Sequence, residues 1–514
     1  MTRQKHSQNK FRNIICNDRM DIAYSMITAF VVMLFCTRSS FLYAFNNWDD
    51  ANSYFSMGKA IMNGVVPYRD LFDQKGMLLY VLYGIGYLIS RRSFTGIFVI
   101  EVLMAGMTAL AMLKTAQLYI RRTSSWLLTF PVLAAVCASR AFWWGGSAEE
   151  MMLPFLSWGL FLQIRYFKES YPQPPGYRMV LTGGLLAGCV ANIKFNSLGF
   201  FFAWMAMIFL ADLLVKEVRR AFVSCVVFLG GMGIATLPWL IYFALHHAVK
   251  EWLYVYLYLN AFLYSEKLPL IQRLYQMCKT IYFHFDYNTT WFVIMIFGGL
   301  WYLIRKGKWI EKLNLLCLGA FLTLGIFIGG VNLPYYVLPL GCFAVLGVIP
   351  AGELLEWMTE KIKMGSLAGR RKCAVLITGM LVSVLLTTGI ICRNSQNLSF
   401  MKYRKADLWQ YRFAEIVDNS GVKDPTLLNM GCFDAGLYTV TGIVPTCYYY
   451  QTQTIHLSNV ETTQYNAMWQ GVTDFIVTRE LEPLGVEKHY DLVAEQKWKQ
   501  SGTEYTYRLY QKVR

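Results

Sequence analysis

The chain has 514 residues, of which 55% are hydrophobic and only 16% charged. Soluble domains carry about 25% charged residues, so this composition excludes a string of soluble domains and points to a polytopic membrane protein. The segment from Arg393 onward holds 13 Lys+Arg and 13 Asp+Glu, which leaves the whole net charge of +16 in short loops between apolar runs, a mark of membrane topology and not of nucleic-acid binding.

A helical crossing needs about 20 apolar residues. Runs of that kind lie at 22–44, 94–118, 124–144, 151–167, 179–195, 198–215, 221–245, 289–304, 313–331, 335–352 and 373–392. The first reads as a retained span, being too long for a cleavable leader. A further run, 77–90, is short and suits an interfacial helix. Charge parity decides that it does not cross: only then do the basic clusters around Lys5/Lys10/Arg12, Arg121/Arg122, Arg165/Lys168, Arg219/Arg220, Arg305/Lys306/Lys308 and Arg370/Arg371 fall on one side. This predicts about eleven spans, with the N-terminus cytoplasmic and the C-terminus outside a plasma membrane. Arg91/Arg92 are the one discordant pair.

Three external loops carry unusual content. The first reads Trp48-Asp49-Asp50-Ala51-Asn52-Ser53-Tyr54. Apolar or small residues at 51, 54, 55, 58, 61 and 62 predict an amphipathic surface helix over 51–63, with Asp50 at its N-cap and Gly64 just past its end. Capping accounts for Asp50 alone. A second carboxylate, Asp49, is what a membrane enzyme would use to deprotonate a hydroxyl. The loop continues through Pro67-Tyr68-Arg69-Asp70 to Lys75-Gly76-Met77, placing Lys75 at headgroup depth, either as a phosphate ligand or as a snorkelling side chain.

The second loop reads Gly145-Gly146-Ser147-Ala148-Glu149-Glu150 and opens the run at 151; its acids either serve a site or complement a helix dipole. Lys194 follows a glycine-rich run (Gly183, Gly184, Gly188), where a buried ammonium needs an anion, a phosphate or a carboxylate such as Glu149. The third loop, 246–288, is aromatic, and its Trp252-Leu253-Tyr254-Val255-Tyr256 suits an interfacial belt better than sugar stacking. Glu101, inside the second run, requires a polar partner. Asn332-Leu333-Pro334-Tyr335-Tyr336 then precedes a late span. The tail of about 120 residues is long enough for one small domain, and its pattern gives helices at 405–419 and 459–470 and strands at Thr426–Met430, Phe475–Thr478 and Tyr505–Tyr510.

Taken together, an acid pair after the first span, an interfacial helix ending in Gly, a Pro-Tyr and a Lys opening an apolar helix resemble the GT-C class of membrane glycosyltransferases. The nearest likeness is to the family-39-like group of protein O-mannosyltransferases and lipid A aminoarabinose transferases. Where that group has Asp-Glu, this chain has Asp49-Asp50; where it has Lys-Pro-Pro, this chain has Lys75-Gly76-Met77. The resemblance implies an all-α polytopic membrane protein of GT-C type (1–392) with a small extracytoplasmic α/β domain (393–514). It implies a polyprenyl-phosphate sugar donor held by Lys75, Lys194 and Arg69, and an acceptor hydroxyl on a cell-envelope glycan or protein. Counting back from Gly64 makes Asp49 the catalytic base, while spacing to Tyr54 favours Asp50. Glu149 and Glu150 would hold the acceptor or a cation, and Trp48, Tyr54, Tyr335 and Tyr336 would line the substrate. No cofactor is required by any motif, although a divalent cation is compatible with the acids. The rival class is a transporter or flippase of lipid-linked saccharides, which would not need the external acid pair and would more often show internal repeats.

Overall fold

The computed structural model describes residues 2–264, 268–330, 333–361, 369–455, 457–500 and 502–513. Asn332 lies outside them. Each apolar run forms helix over most of its length: α1 (Thr2–Cys36), α4 (Thr95–Gln117), α5 (Arg122–Cys137), α6 (Ala148–Arg165), α7 (Tyr177–Ala191), α8 (Leu198–Leu214) and α9 (Val218–Leu245). Between α1 and α4 lie the two shorter helices α2 (Asp49–Met62) and α3 (Met77–Ile89). After α9 come α10 (Leu270–Tyr287), α11 (Thr289–Ile304) and α12 (Trp309–Phe327), then a 3₁₀ stretch (Pro334–Gly347) running into α13 (Val348–Lys361), and α14 (Gly369–Asn394).

Among the described residues seven helices are long and apolar enough to cross a membrane, and an eighth counts if α10 and α11, bent by 111° at their junction, are taken together. The chain is a multi-pass membrane protein. The count falls short of eleven because α5 has 16 residues, α7 has 15, and α6 opens on two glutamates. The aromatic loop is also less open than its composition suggests, since α10 occupies Leu270–Tyr287.

Among the described side chains, members of four basic clusters meet at one end of the bundle. Lys114 pairs with Asp18 and Asp21 (2.6 and 2.8 Å), Arg122 joins the same Asp21 (2.8 Å), and Arg121 reaches Glu360 (2.5 Å). Lys168 donates to the Leu118 carbonyl, Lys308 to that of Phe167, and Arg220 to that of Pro175. α3, with 13 residues, is shorter than the helices long enough to cross. The discordant Arg92 lies at the other end, paired with Asp418 of the tail (3.0 Å). The glycines of α7 bring it against α9: a Cβ on Gly184 would lie 2.0 Å from the Phe228 carbonyl oxygen, the close approach that small residues permit between membrane helices.

The tail adds α15 (Trp409–Asn419), β1 (Leu427–Met430), a short α16 (Leu437–Thr441), α17 (Asn459–Trp469), β2 (Phe475–Arg479), β3 (Tyr490–Gln500) and β4 (Thr503–Lys512). The sheet order is β1-β2-β4-β3, with β1 and β2 parallel and the other pairs antiparallel. β3 was not expected. It is an edge strand whose lysines and acids face solvent, so it lacks the apolar alternation that marks a half-buried strand.

α2 departs most from expectation. It does not lie on an open surface: Ala51 to Ala60 are buried throughout, with α3 on one side and the tail on the other. A Cβ on Gly58 would lie 2.5 Å from the Gly84 nitrogen of α3. The polar face of the helix is spent on the tail. Ser53 donates to Gln451 (2.7 Å), Ser56 to Asp434 (2.6 Å), Lys59 to the Tyr438 carbonyl (2.6 Å), and Thr439 donates to Asn52 (2.7 Å).

Candidate active site

The helix α2 begins two residues earlier than the capping argument predicts. Trp48 takes the N-cap position, and both Asp49 and Asp50 stand in the first turn, where the helix dipole favours negative charge. Gly64 does lie just past the helix end, at φ +84°. Successive helical residues are turned by about 100°, so the two acids face different neighbours. Asp50 turns to the bundle, accepting hydrogen bonds from Tyr335 (2.7 Å) and Tyr54 (3.3 Å). Asp49 turns to the tail, where its Oδ2 accepts from Arg479 at 3.1 Å and its buried Oδ1 meets no donor among the described residues. Burial pushes the Asp49 carboxyl up to about 6, against the lowering influence of Arg479 and with the help of Asp50 and Asp434. Trp48 packs edge-on against Tyr335, the ring centroids 4.9 Å apart.

Beside this turn is a cavity of about 350 Å³, lined by Lys75 and Lys194 with Tyr256, Tyr264, Tyr336 and the apolar Ile193, Ile326 and Ile328. The loops that bear its two lysines are stitched together: Gly76 N–H donates to the Ile193 carbonyl (3.0 Å) and Leu78 N–H to that of Asn192 (2.9 Å). A Cβ on Gly76 would stand 2.2 Å from the Asn192 oxygen. The glycine that replaces a proline of the resembled motif is therefore what lets the lysine loops meet.

The two lysines differ. Lys194 is bound to Glu149 at 2.5 Å and lies 3.6 Å from the Tyr336 ring centroid. Lys75 has no carboxylate within ion-pair distance among the described residues; its ammonium faces the Tyr54 ring at 5.8 Å. Burial works against its charge, yet the carboxylates of Asp73 and Asp50 at longer range hold it above its ordinary value. Tyr336 also shares a hydrogen bond with Tyr264 (2.5 Å).

Of the eleven residues singled out in the sequence, Lys75, Lys194 and Tyr336 line the cavity, and Glu149, Asp50, Tyr54, Tyr335 and Trp48 are linked to them through the contacts above, while Asp49, on the same turn, faces the tail. Two others lie elsewhere. Arg69 is exposed and committed to Asp70 (2.7 Å) and to the His246 carbonyl (2.8 Å), because the turn after Pro67 swings it outward, away from the cavity. Glu150 turns into the bundle, where it accepts from Gly146 N–H (2.7 Å) and faces Glu101, itself bonded to Thr37 (2.8 Å). The divergence of Glu149 and Glu150 also separates the acids that would have held a cation. Among the described residues no group of three or more His, Cys, Asp or Glu is placed to hold a metal ion. Sequence reasoning missed Arg479, 430 positions from Asp49, and carried no signal for it: a lone arginine at the end of a strand is unremarkable until the sheet docks on α2.

No family model matches the sequence, and no curated protein matches it. Solved structures do. ArnT from Cupriavidus metallidurans bound to undecaprenyl phosphate aligns with a TM-score of 0.59 at 11% identity, covering 95% of this chain and 97% of that one. The same protein in the apo state aligns at 0.55 and 10% identity, with coverage of 95% and 97%. The Archaeoglobus fulgidus oligosaccharyltransferase aligns at 0.46 and 10%, covering 94% of this chain and 72% of that one. The ArnT likeness is one of architecture: the chain has a GT-C fold, with its membrane helices and a small C-terminal sheet.

Proposed function

We propose that the chain is an integral-membrane glycosyltransferase that moves a sugar from a polyprenyl-phosphate donor to an acceptor hydroxyl. The observation that carries this reading is Lys75, a half-buried ammonium with no counter-ion at contact distance among the described residues, opening into a cavity it shares with Lys194. A buried charge left unpaired is costly, and a phosphate supplies both the missing charge and strong hydrogen-bond acceptors. The apolar wall of Ile193, Ile326 and Ile328 suits the first isoprene units beside that phosphate. The similar ArnT structure binds undecaprenyl phosphate, which supports a donor of this class.

In this scheme the acceptor oxygen attacks C1 of the sugar, the bond from C1 to the phosphate oxygen breaks, and polyprenyl phosphate departs with inversion at C1. Asp49 takes the proton from the acceptor hydroxyl. A carboxylate raised to about 6 and carrying one unbonded oxygen suits that task. Lys75 and Lys194 stabilise charge developing on the departing phosphate, while Glu149 fixes Lys194. Asp50 anchors Tyr335, which packs on the cavity's Tyr336, and Tyr54, whose ring faces Lys75. The site faces outward across a plasma membrane, with the N-terminus cytoplasmic, residues 1–392 as the membrane domain and 393–514 as an extracytoplasmic domain. The acceptor hydroxyl belongs to a cell-envelope glycan or protein.

The test uses membranes containing the full chain and a labelled polyprenyl-phosphate sugar. Release of polyprenyl phosphate with transfer of the label is expected. Lys75→Ala should raise the apparent KM for donor about tenfold or more, the scale of one lost charge-assisted contact. An unchanged KM removes Lys75 from the donor site, and movement of the intact lipid across the bilayer without transfer replaces the enzyme with a transporter.

A further inference from the structure

A second cavity, of about 230 Å³, lies where the tail meets the first external loop, and it is built almost entirely of hydrogen-bond donors. At its base is Arg38, only 7% exposed. Its Nε donates to Asn397 Oδ1 (3.0 Å) and its Nη1 to Asn47 Oδ1 (2.7 Å), while its Nη2 meets no acceptor among the described residues. The guanidinium is clamped between Trp144 and Phe400, 3.9 and 4.2 Å from their ring centroids. That clamp holds the group flat and pre-oriented, but cation–π contact supplies no full negative charge. Two further donors on the lining residues, Gln396 Nε2 and Trp498 Nε1, are buried with no acceptor among the described residues. Lys402 and Lys499 stand exposed at the rim, and no carboxylate lines the cavity.

Buried donors are normally paired, and one left open is costly. Gln396 Nε2 and Trp498 Nε1 are enclosed, Arg38 Nη2 is not, and all three, below two lysines, lack an acceptor among the described residues. We infer that this cavity is a binding site for an oxyanion, a carboxylate or phosphate group, received by Arg38, Gln396 and Trp498 and steered by Lys402 and Lys499. Its size suits one charged group with a single sugar ring better than an oligosaccharide, since drug-sized ligands fill about 300–1,000 Å³.

Its position gives it a use. Asn47, which Arg38 holds, is two residues before Asp49. On the other wall Trp498 pairs across the sheet with Tyr505, whose ring lies 5.3 Å from the Arg479 guanidinium that grips Asp49. An anionic saccharide held here is thereby connected to the Asp49 turn through both walls, and the cavity serves as the acceptor subsite, a role that rests on the transfer reading above.

The experiment measures binding by isothermal titration of the full-length protein in detergent with glucuronate, inorganic phosphate and glucose. Glucuronate and phosphate should bind saturably and compete, and glucose should not bind. Tighter binding of glucuronate than phosphate assigns the anion to a saccharide, and equal binding assigns it to the bare oxyanion; both support the site. The double variant Lys402→Gln/Lys499→Gln changes only exposed side chains and should weaken binding about tenfold. Trp498→Phe keeps the ring, removes one donor, and should weaken it about threefold. Wild-type affinity in both variants, equal binding of glucose, or no binding of either anion overturns the proposal. Asp49→Asn should lower transfer about a hundredfold or more while leaving glucuronate binding intact, so failure of the transfer reading and failure of this site are told apart.

Discussion

Two acid pairs in this chain, Asp49-Asp50 and Glu149-Glu150, have the same layout: adjacent carboxylates in the first turn of a helix at the same end of the bundle. In each, one member serves the cavity and the other does not. Asp50 and Glu149 face the lysine cavity through Tyr335 and Lys194, whereas Asp49 is held by the tail and Glu150 turns to Glu101. The difference between the pairs lies in the outward member. Glu150 has bundle interior behind it. Asp49 has a docked sheet with an arginine, which leaves it ionisable near neutral pH with one oxygen free. A pair in sequence is thus two single residues in space, because a helix turns about 100° per position.

The sharpest way to break this comparison is to neutralise each acid of the first pair. Asp49→Asn should lower transfer by about 10²–10⁴-fold, the range of a general base. Asp50→Asn should cost less, since its amide oxygen still accepts from Tyr335 and Tyr54 and only the charge is lost. Initial rates with saturating donor decide it, and equal losses would dissolve the division of labour.

The lysines come next. Lys194→Ala strands the buried Glu149 and should destabilise the protein by about 3–5 kcal/mol, the cost of breaking a buried pair from one side. Lys75→Ala strands no contact partner and should leave the melting temperature near wild type. Thermal unfolding in detergent measures both. A Lys75→Ala protein as unstable as Lys194→Ala would mean that Lys75 is structural.

The pH dependence isolates Asp49. Its folded value, about 6, lies above its ordinary 3.8, so its ionisation weakens the fold: the contribution to stability is full below about 3.8 and is lost as pH rises through about 6. Transfer runs the other way, climbing with pH and levelling above about 6 as the base ionises. Arg479→Gln removes the charge that holds this value down, so the acid limb of kcat/KM should move to higher pH. A limb that stays in place assigns the titration to another group.

The smallest effect is expected at Glu150→Gln. The amide still accepts from Gly146 N–H and can still hydrogen-bond Glu101, so stability should change by no more than about 1 kcal/mol and donor KM not at all. A donor defect here would put Glu150 in the site after all.

Some of this molecule is written locally. The apolar runs, four basic clusters gathered at one end, the end of α2 at Gly64 and three of the four tail strands follow from run length, charge and turn chemistry, each decided within a few residues. The lysines at 75 and 194 and the tyrosines at 54, 335 and 336 were legible as candidates for the same reason: each interrupts or borders an apolar run. Tertiary structure alone decided which way each side chain points and what answers it. Arg69 was lost to a neighbouring aspartate, Glu150 to the bundle interior, and Arg479 was gained from a sheet that closes over α2. The physical reason is range. Burying an apolar run depends on the run itself, whereas a buried charge is satisfied by whichever partner the rest of the chain delivers, here from as far as 430 positions away.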